Sequence, residues 1–192
     1  MPSVPTRLLA FAGSLRRESF NRKALNHAVN GAREAGAEVN MIDLADYPLP
    51  LFDQDQESVS GVPENAVALK RLFIENAGLL LACPEYNSSI TPLLKNTLDW
   101  VSRPWQSQSG SVPYRNKIAG LVAASASSLG GIRGLRHVRE ILTTLGVIVI
   151  PRQQVVSNAD RVLSAPQDHP HVIQGLGDVG RLLADAVGRW NK

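Results

Sequence analysis

Gly78-Leu79-Leu80-Leu81-Ala82-Cys83, closed by Pro84, is the stretch on which the fold turns. So short an apolar run cannot be a helix of its own, and it lacks the in-and-out alternation of a half-exposed strand. It reads as a central strand buried on both faces, the usual condition of strands in a parallel sheet. Its neighbours fit. Glu64 to Asn76 before it reads as a helix. So does Pro92 to Val101 after it, with Leu93, Leu94, Leu98 and Val101 on one face. Further out, Arg7 to Ala12 is a short buried strand closed by Gly13. A helix follows over Ser19 to Ala35, with Ala24, Leu25, Ala28, Val29 and Ala32 at helical spacing and Gly36 as its glycine cap. Ala37 to Leu44 reads as a strand with Val39 and Met41 on one face. Asp46 to Pro63 reads as a loop, because Pro48, Pro50, Gly61 and Pro63 punctuate it.

Towards the C-terminus the spacing predicts a polar loop over Arg103 to Asn116, a strand over Lys117 to Ala124, and a helix over Leu135 to Leu145. A last strand over Val147 to Pro151 and a helix over His171 to Trp190 complete the chain. Strand and helix alternate throughout. That pattern predicts an α/β fold, a parallel sheet with helices on both faces, and right-handed crossovers leave few topologies. Residues 1–192 are expected to form one domain.

Composition narrows the function. The chain has 192 residues, of which 44% are apolar and 19% charged, as in a globular protein. Twenty basic against 17 acidic side chains give a formal charge of +3, without a run of like charge. No nucleic-acid partner is expected, whereas a phosphate-bearing ligand would suit the balance. The single cysteine, Cys83, excludes an internal disulfide or a CxxC site and reads as an inert core thiol. The N-terminus has no long apolar h-region, and no stretch approaches the roughly 20 apolar residues of a membrane helix. A cytoplasmic protein without membrane insertion is expected. The histidines are too scattered for a metal site, and no serine sits in a GxSxG elbow.

Two loops carry the chemistry. Gly13-Ser14-Leu15-Arg16-Arg17-Glu18-Ser19-Phe20-Asn21 follows the first strand and is neither a GxGxxG nor a GxxxxGK[ST] loop. The following helix offers free N–H groups and a positive dipole end; Ser14, Ser19 and Asn21 add donors, and Arg16 adds charge. That set suits a phosphate monoester. The spacing alone does not separate this from an ordinary helix start, with Ser19 as N-cap and the arginines solvated. After the third strand comes Pro84-Glu85-Tyr86-Asn87-Ser88-Ser89-Ile90-Thr91-Pro92. Thr91 and Pro92 read as N-cap and first helical residue, which leaves residues 84–90 free to meet the edge of a heterocycle. Glu85 is expected to be a solvated loop carboxylate, Trp100 a core residue, and Trp105 a pocket wall or subunit contact.

With those segments in view, the chain resembles the NADPH-dependent FMN reductases, a family that includes soluble quinone, azo and chromate reductases. The resemblance is carried by Gly13-Ser14-Leu15-Arg16 with Ser19 and Asn21, and by Pro84-Glu85-Tyr86-Asn87 with Leu94-Lys95-Asn96 and Asp99-Trp100. Ser125 with Gly130-Gly131 and Arg133 is the third part, and the whole spans roughly residues 5 to 155. It implies a flavodoxin-like three-layer sandwich around a five-stranded parallel sheet of order 2-1-3-4-5. It implies FMN as cofactor and NADPH or NADH as co-substrate. Ser14, Arg16, Ser19 and Asn21 would hold the FMN phosphate. Pro84, Glu85, Tyr86 and Asn87 would line the ring and ribityl chain, largely through backbone groups, and Ser125 with Gly130 or Gly131 would flank the far side.

The implied reaction passes hydride from nicotinamide to FMN and on to a quinone, azo or similar acceptor, or to free flavin. The cofactor carries the chemistry, so no catalytic acid or base is expected. A homodimer or homotetramer is implied, with Arg103 to Asn116 as candidate contact. One departure stands out: Leu93 follows Pro92 where many members have glycine, which bears on acceptor preference. Two other readings remain open, a flavodoxin-type electron carrier and a non-enzymatic phosphate- or nucleotide-binding module. The charge of +3 speaks against the carrier, since such carriers are usually acidic.

Overall fold

The structure is a computed structural model and describes residues 5–190. In chain order its elements are β1 (Arg7–Ala12), α1 (Phe20–Glu34), β2 (Glu38–Met41), α2 (Gln54–Ser60), α3 (Glu64–Glu75) and β3 (Gly78–Ala82). Then come β4 (Glu85–Tyr86), β5 (Ser89–Ile90), α4 (Pro92–Val101), β6 (Ile118–Ala124), α5 (Ile132–Thr144), β7 (Ile148–Val156), α6 (Ala159–Val162) and α7 (Pro170–Trp190). The main sheet runs β2-β1-β3-β6-β7 and all its pairings are parallel. Counted among those strands alone, the order is 2-1-3-4-5. The pair β4-β5 forms a separate antiparallel hairpin.

Every residue of β3 is buried. Leu80 and Ala82 face one core, built with α1 and α7. Leu79, Leu81 and Cys83 face the other, with α3, α4 and α5. Burying a leucine side chain of this kind is worth about 1.5–3 kcal/mol, which is why the run from Gly78 to Cys83 takes the middle of the sheet. The α1/α7 face is closed by contact between backbones. A Cβ on Gly31 would lie 2.1 Å from the Gly177 carbonyl oxygen, and one on Gly180 would lie 1.8 Å from that of Ala28. Only glycine permits so close a crossing.

Several elements differ from the sequence reading. First, Asp46 to Pro63 holds a helix, α2, and is preceded by a short 3-10 turn at Leu44–Asp46. Asp53 caps α2 by accepting from Asp55 N and Gln56 N, and Gly61 ends it at φ +73°. The helix buries no residue and so shows no apolar period. Second, β2 is shorter than expected and an edge strand, with Met41 exposed. Third, β7 continues through Pro151 to Val156. An edge strand tolerates proline, and a bulge falls there: Ala119 pairs with Val149 and Leu121 with Gln153. Arg139 of α5 holds the bulge by donating to the carbonyls of Val149 (3.1 Å) and Ile150 (2.7 Å). Fourth, α5 begins at Ile132, directly after Gly131 at φ +93°.

Candidate functional site

Strand order reverses between β1 and β3: the chain passes outward from β1 to β2 and returns to β3 on the other side. In open α/β sheets ligands bind at the carboxyl ends of the strands at such a point. Three loops meet there, residues 13–19 after β1, 83–91 after β3 and 125–131 after β6.

The first two loops are tied by one side chain. Thr91 Oγ1 donates to the Gly13 carbonyl (2.8 Å) and accepts from Leu94 N (3.3 Å), so it caps α4 and holds the first loop together. A Cβ on Gly13 would stand 2.9 Å from Leu94 Cβ, which explains a glycine where α4 passes. Ser19 is the N-cap of α1 and accepts from Arg22 N. The first helical N–H groups, those of Phe20 and Asn21, lie before the intrahelical ladder begins. Ser14 Oγ accepts from Arg16 N (3.3 Å), and the exposed Arg16 guanidinium lies over the Phe20 ring, 4.6 Å from its centre. Arg22 pairs with Asp43, which anchors the outer side of α1 to the end of β2.

Asn21 is placed differently from Ser14 and Arg16. It is buried, and its amide donates to the Ala124 carbonyl (2.8 Å) and accepts from Ala124 N (3.0 Å). Beyond the Ala82–Val122 pairing β3 leaves the sheet, and the amide of Asn21 satisfies the top of β6 in the manner of a strand. The side chain thus fixes the start of α1 against the third loop.

The second loop is a hairpin. Glu85 pairs with Ile90 and Tyr86 with Ser89 around a two-residue turn, in which Asn87 (φ 49°) and Ser88 (φ 71°) are both left-handed. Asparagine suits such a turn. Tyr86 stands exposed at its tip. Pro84 and Cys83 are buried below, and burial pushes the Cys83 thiol far up, consistent with an inert thiol.

Glu85 is not solvated, contrary to the sequence expectation: its side chain is 7% exposed. Burial pushes its carboxyl up, but hydrogen bonds from Gly134 N and from Arg133, with the Arg133 charge, outweigh this and hold it below the usual value. Its partners lie 48 and 49 positions along the chain, which no local pattern reveals. A second tie, Ser89 Oγ to His137 Nδ1 at 2.9 Å, joins the hairpin to the next turn of α5. Beside it lies a cavity of about 320 Å³ lined by Ser89, Ile90, Lys95, His137, Glu140 and Ile141.

In the third loop Ser125 Oγ donates to Ser127 Oγ (3.1 Å). Gly130 (φ 63°) and Gly131 (φ 93°) are buried. A Cβ on Gly130 would meet Ser157 N at 3.0 Å, and one on Gly131 would meet Ala123 Cβ at 2.9 Å. Trp100 is buried, as expected, and donates from Nε1 to the Pro50 carbonyl (2.8 Å). Trp105 is half-buried, with the Arg71 guanidinium 5.3 Å from its ring centre. In the same loop Tyr114 is fully buried and donates to the Leu98 carbonyl (2.7 Å). Among the described residues no group of three or more His, Cys, Asp or Glu side chains is placed to hold a metal.

Sheet order and loop placement define a flavodoxin-like α/β protein. Comparison with known proteins sharpens this. The family model described as NADPH-dependent FMN reductase matches residues 6–161. A 2-hydroxy-1,4-benzoquinone reductase of a Burkholderia species is 32% identical over 154 residues, 80% of this chain and 79% of the relative. A quinone reductase of Escherichia coli K12 is 31% identical over 186 residues, 95% and 94% of the two chains. Among solved structures, the flavoenzyme NAD(P)H:(acceptor) oxidoreductase of Paracoccus denitrificans superposes with a TM-score of 0.71 at 21% identity, covering 94% of this chain and 98% of that one. The chain therefore belongs to the NADPH-dependent FMN reductase family. It is an oxidoreductase of the FMN- and NAD(P)H-dependent type.

The residues present fit FMN. The start of α1, with Ser14 and Arg16, is a donor set for a dianionic phosphate. The hairpin and the buried glycines of the third loop lie on the adjoining strands, where the rest of the ligand would extend.

Proposed function

We propose that this protein binds FMN across the ends of β1, β3 and β6, and uses it to reduce a quinone, azo compound or similar acceptor, or free flavin, at the expense of NADPH or NADH. The observation that carries the reading is the convergence of three loops on the switch point, with the N-terminus of α1 at one end and the hairpin at the other. Ser14 and Arg16 bind the phosphate with the N–H groups opening α1. Ser19 acts as the cap that leaves those groups outward, and Asn21 holds the helix start in place. Pro84, Glu85, Tyr86 and Asn87 form the wall for the ring, and Ser125, Gly130 and Gly131 the opposite side.

FMN, when bound, supplies hydride acceptance and release. The chain itself positions both ligands, excludes water and presents backbone donors where negative charge develops. No side-chain acid or base is required in this reading. Pairing of copies into a dimer or tetramer and a cytoplasmic location belong to the same proposal; no described helix is long and apolar enough to cross a membrane.

The test is direct. Purified protein is titrated with FMN, and oxidation of NADPH and of NADH is followed with quinones, azo dyes, chromate and free FMN as acceptors. Tight FMN uptake with nicotinamide-dependent turnover is expected. Protein that neither carries nor takes up FMN defeats the reading, and bound FMN that no nicotinamide reduces makes it an electron carrier instead.

A further inference from the structure

Arg133 carries part of the family resemblance but has no role assigned so far. The structure joins it to Glu85. Glu85 Oε2 accepts from the backbone N–H groups of Arg133 and Gly134, both at 3.0 Å. Its Oε1 accepts from Arg133 Nε (2.8 Å) and Nη2 (2.5 Å). Helix α5 opens on Gly131, which offers no side-chain cap. Glu85 therefore acts as the missing N-cap, supplied from the hairpin, and its charge lies at the positive end of the helix dipole. The approach is close: a Cβ on Gly134 would come within 3.3 Å of Glu85 Cβ. One carboxylate thus fastens strand β4 to the first turn of α5, while Ser89 and His137 fasten β5 to the second. Tyr86 and Asn87 are the next residues along the chain from Glu85.

We propose that Glu85 and Arg133 are the positioning pair of the flavin site: they fix the hairpin on α5 so that Tyr86 and Asn87 meet the ring, and their opposed charges set the reduction potential of bound FMN. The inference rests on the FMN reading above. Reduction adds negative charge to the ligand, so a nearby anion disfavours the reduced form and a nearby cation favours it. In the native pair the two contributions largely cancel. Removing the carboxylate leaves the guanidinium and the helix dipole uncompensated, and the potential rises. Removing the guanidinium leaves a buried carboxylate held only by two N–H groups, and the potential falls. A hairpin that had merely come loose would move both variants in the same sense.

The experiment uses the FMN-loaded protein with Glu85→Gln, Arg133→Met and Arg133→Lys. The dissociation constant for FMN is read from the quenching of flavin fluorescence, and the midpoint potential from equilibration with reference dyes. Glu85→Gln and Arg133→Met are both expected to weaken FMN several-fold. The ratio of affinities for reduced over oxidised FMN should rise about tenfold in the first and fall about tenfold in the second, shifts of about 30 mV upward and downward for the two-electron couple. Arg133→Lys keeps the charge and should stay near the wild-type potential. Shifts of the same sign, or an unchanged potential in Glu85→Gln and Arg133→Met, overturn the proposal. If Glu85→Gln does not fold, the contrast between Arg133→Met and Arg133→Lys decides alone. Unmutated protein that binds no FMN sinks the functional reading first, and this inference with it.

Discussion

Replacing Asn21 by alanine should destabilise the protein before any ligand is considered. The residue is 5% exposed, and its side chain makes two hydrogen bonds, at 2.8 and 3.0 Å, to the carbonyl and N–H of Ala124. Alanine leaves both backbone groups buried without a partner at the end of β6. Each unsatisfied buried group costs about 1–3 kcal/mol, so the loss for the two should be about 2–6 kcal/mol. That is a large part of the roughly 5–15 kcal/mol that holds a domain of this size together. The assay is urea unfolding of the FMN-free protein followed by tryptophan fluorescence, with stability taken by linear extrapolation. Asn21→Asp makes the reasoning sharper. The new carboxyl can still accept from Ala124 N, but when ionised it sets a negative oxygen against the Ala124 carbonyl. The folded state therefore favours the protonated acid, and the deficit relative to wild type should shrink as pH falls towards the carboxyl range. A loss below about 1 kcal/mol in Asn21→Ala would show that Ala124 is satisfied some other way. FMN affinity lost at unchanged FMN-free stability would mark Asn21 as a direct phosphate ligand, and the scaffold argument would fall.

Other substitutions test other joints. Thr91→Val unpairs the Gly13 carbonyl and removes the cap of α4; thermal melts should show a loss of about 1–3 kcal/mol, largely restored in Thr91→Ser. Ser88 holds φ at 71° in the hairpin turn, so Ser88→Gly should raise stability by up to about 1 kcal/mol, measured by chemical unfolding. The Lys70 amine is buried on α3 with no hydrogen-bond partner among the described residues. Burial lowers its affinity for a proton below the ordinary 10.5, so the unfolded chain binds that proton more tightly than the folded one. Stability should then rise with pH between the lowered value and 10.5. Lys70→Met should be more stable than wild type at neutral pH and should lose that slope, as paired urea titrations at two pH values would show.

What was legible in the sequence followed from local patterning. The apolar run from Gly78 to Cys83 announced its burial on both faces, and the alternation around it announced the parallel sheet. Thr91 and Pro92 announced the start of α4, and the apolar stripes on α1 and α4 fell on their buried faces. Elements without such a signal are not legible in this way. Helix α2 buries nothing, so only its end signals, Asp53 and Gly61, could have shown it among the prolines. Local pattern ends the last strand at Pro151, where a polar stretch begins, and the edge position and bulge that carry β7 further are tertiary facts. The site was legible as a set of loops. How its residues act on one another was not: Asn21 meets Ala124 103 positions away and Glu85 meets Arg133 48 positions away, and both partners are chosen by the folded sheet.

The glycine crossing of α1 and α7 constrains how this protein can be recombined with its relatives. The family match ends at residue 161, before α7 begins at Pro170, so the C-terminal helix looks like a module to be traded freely. Yet the carbonyl of Ala28 lies where any side chain at Gly180 would collide, and the backbone of Gly177 lies where any side chain at Gly31 would, and α1 is the helix whose first turn would face the phosphate in the proposed site. A chimera joined between residues 161 and 170 would bring in a foreign α7 that must find this groove, and a bulkier residue at position 180 would lever α1 off the sheet. The two helices are best inherited as a matched set, the opening loop with the closing helix, although they stand at opposite ends of the chain.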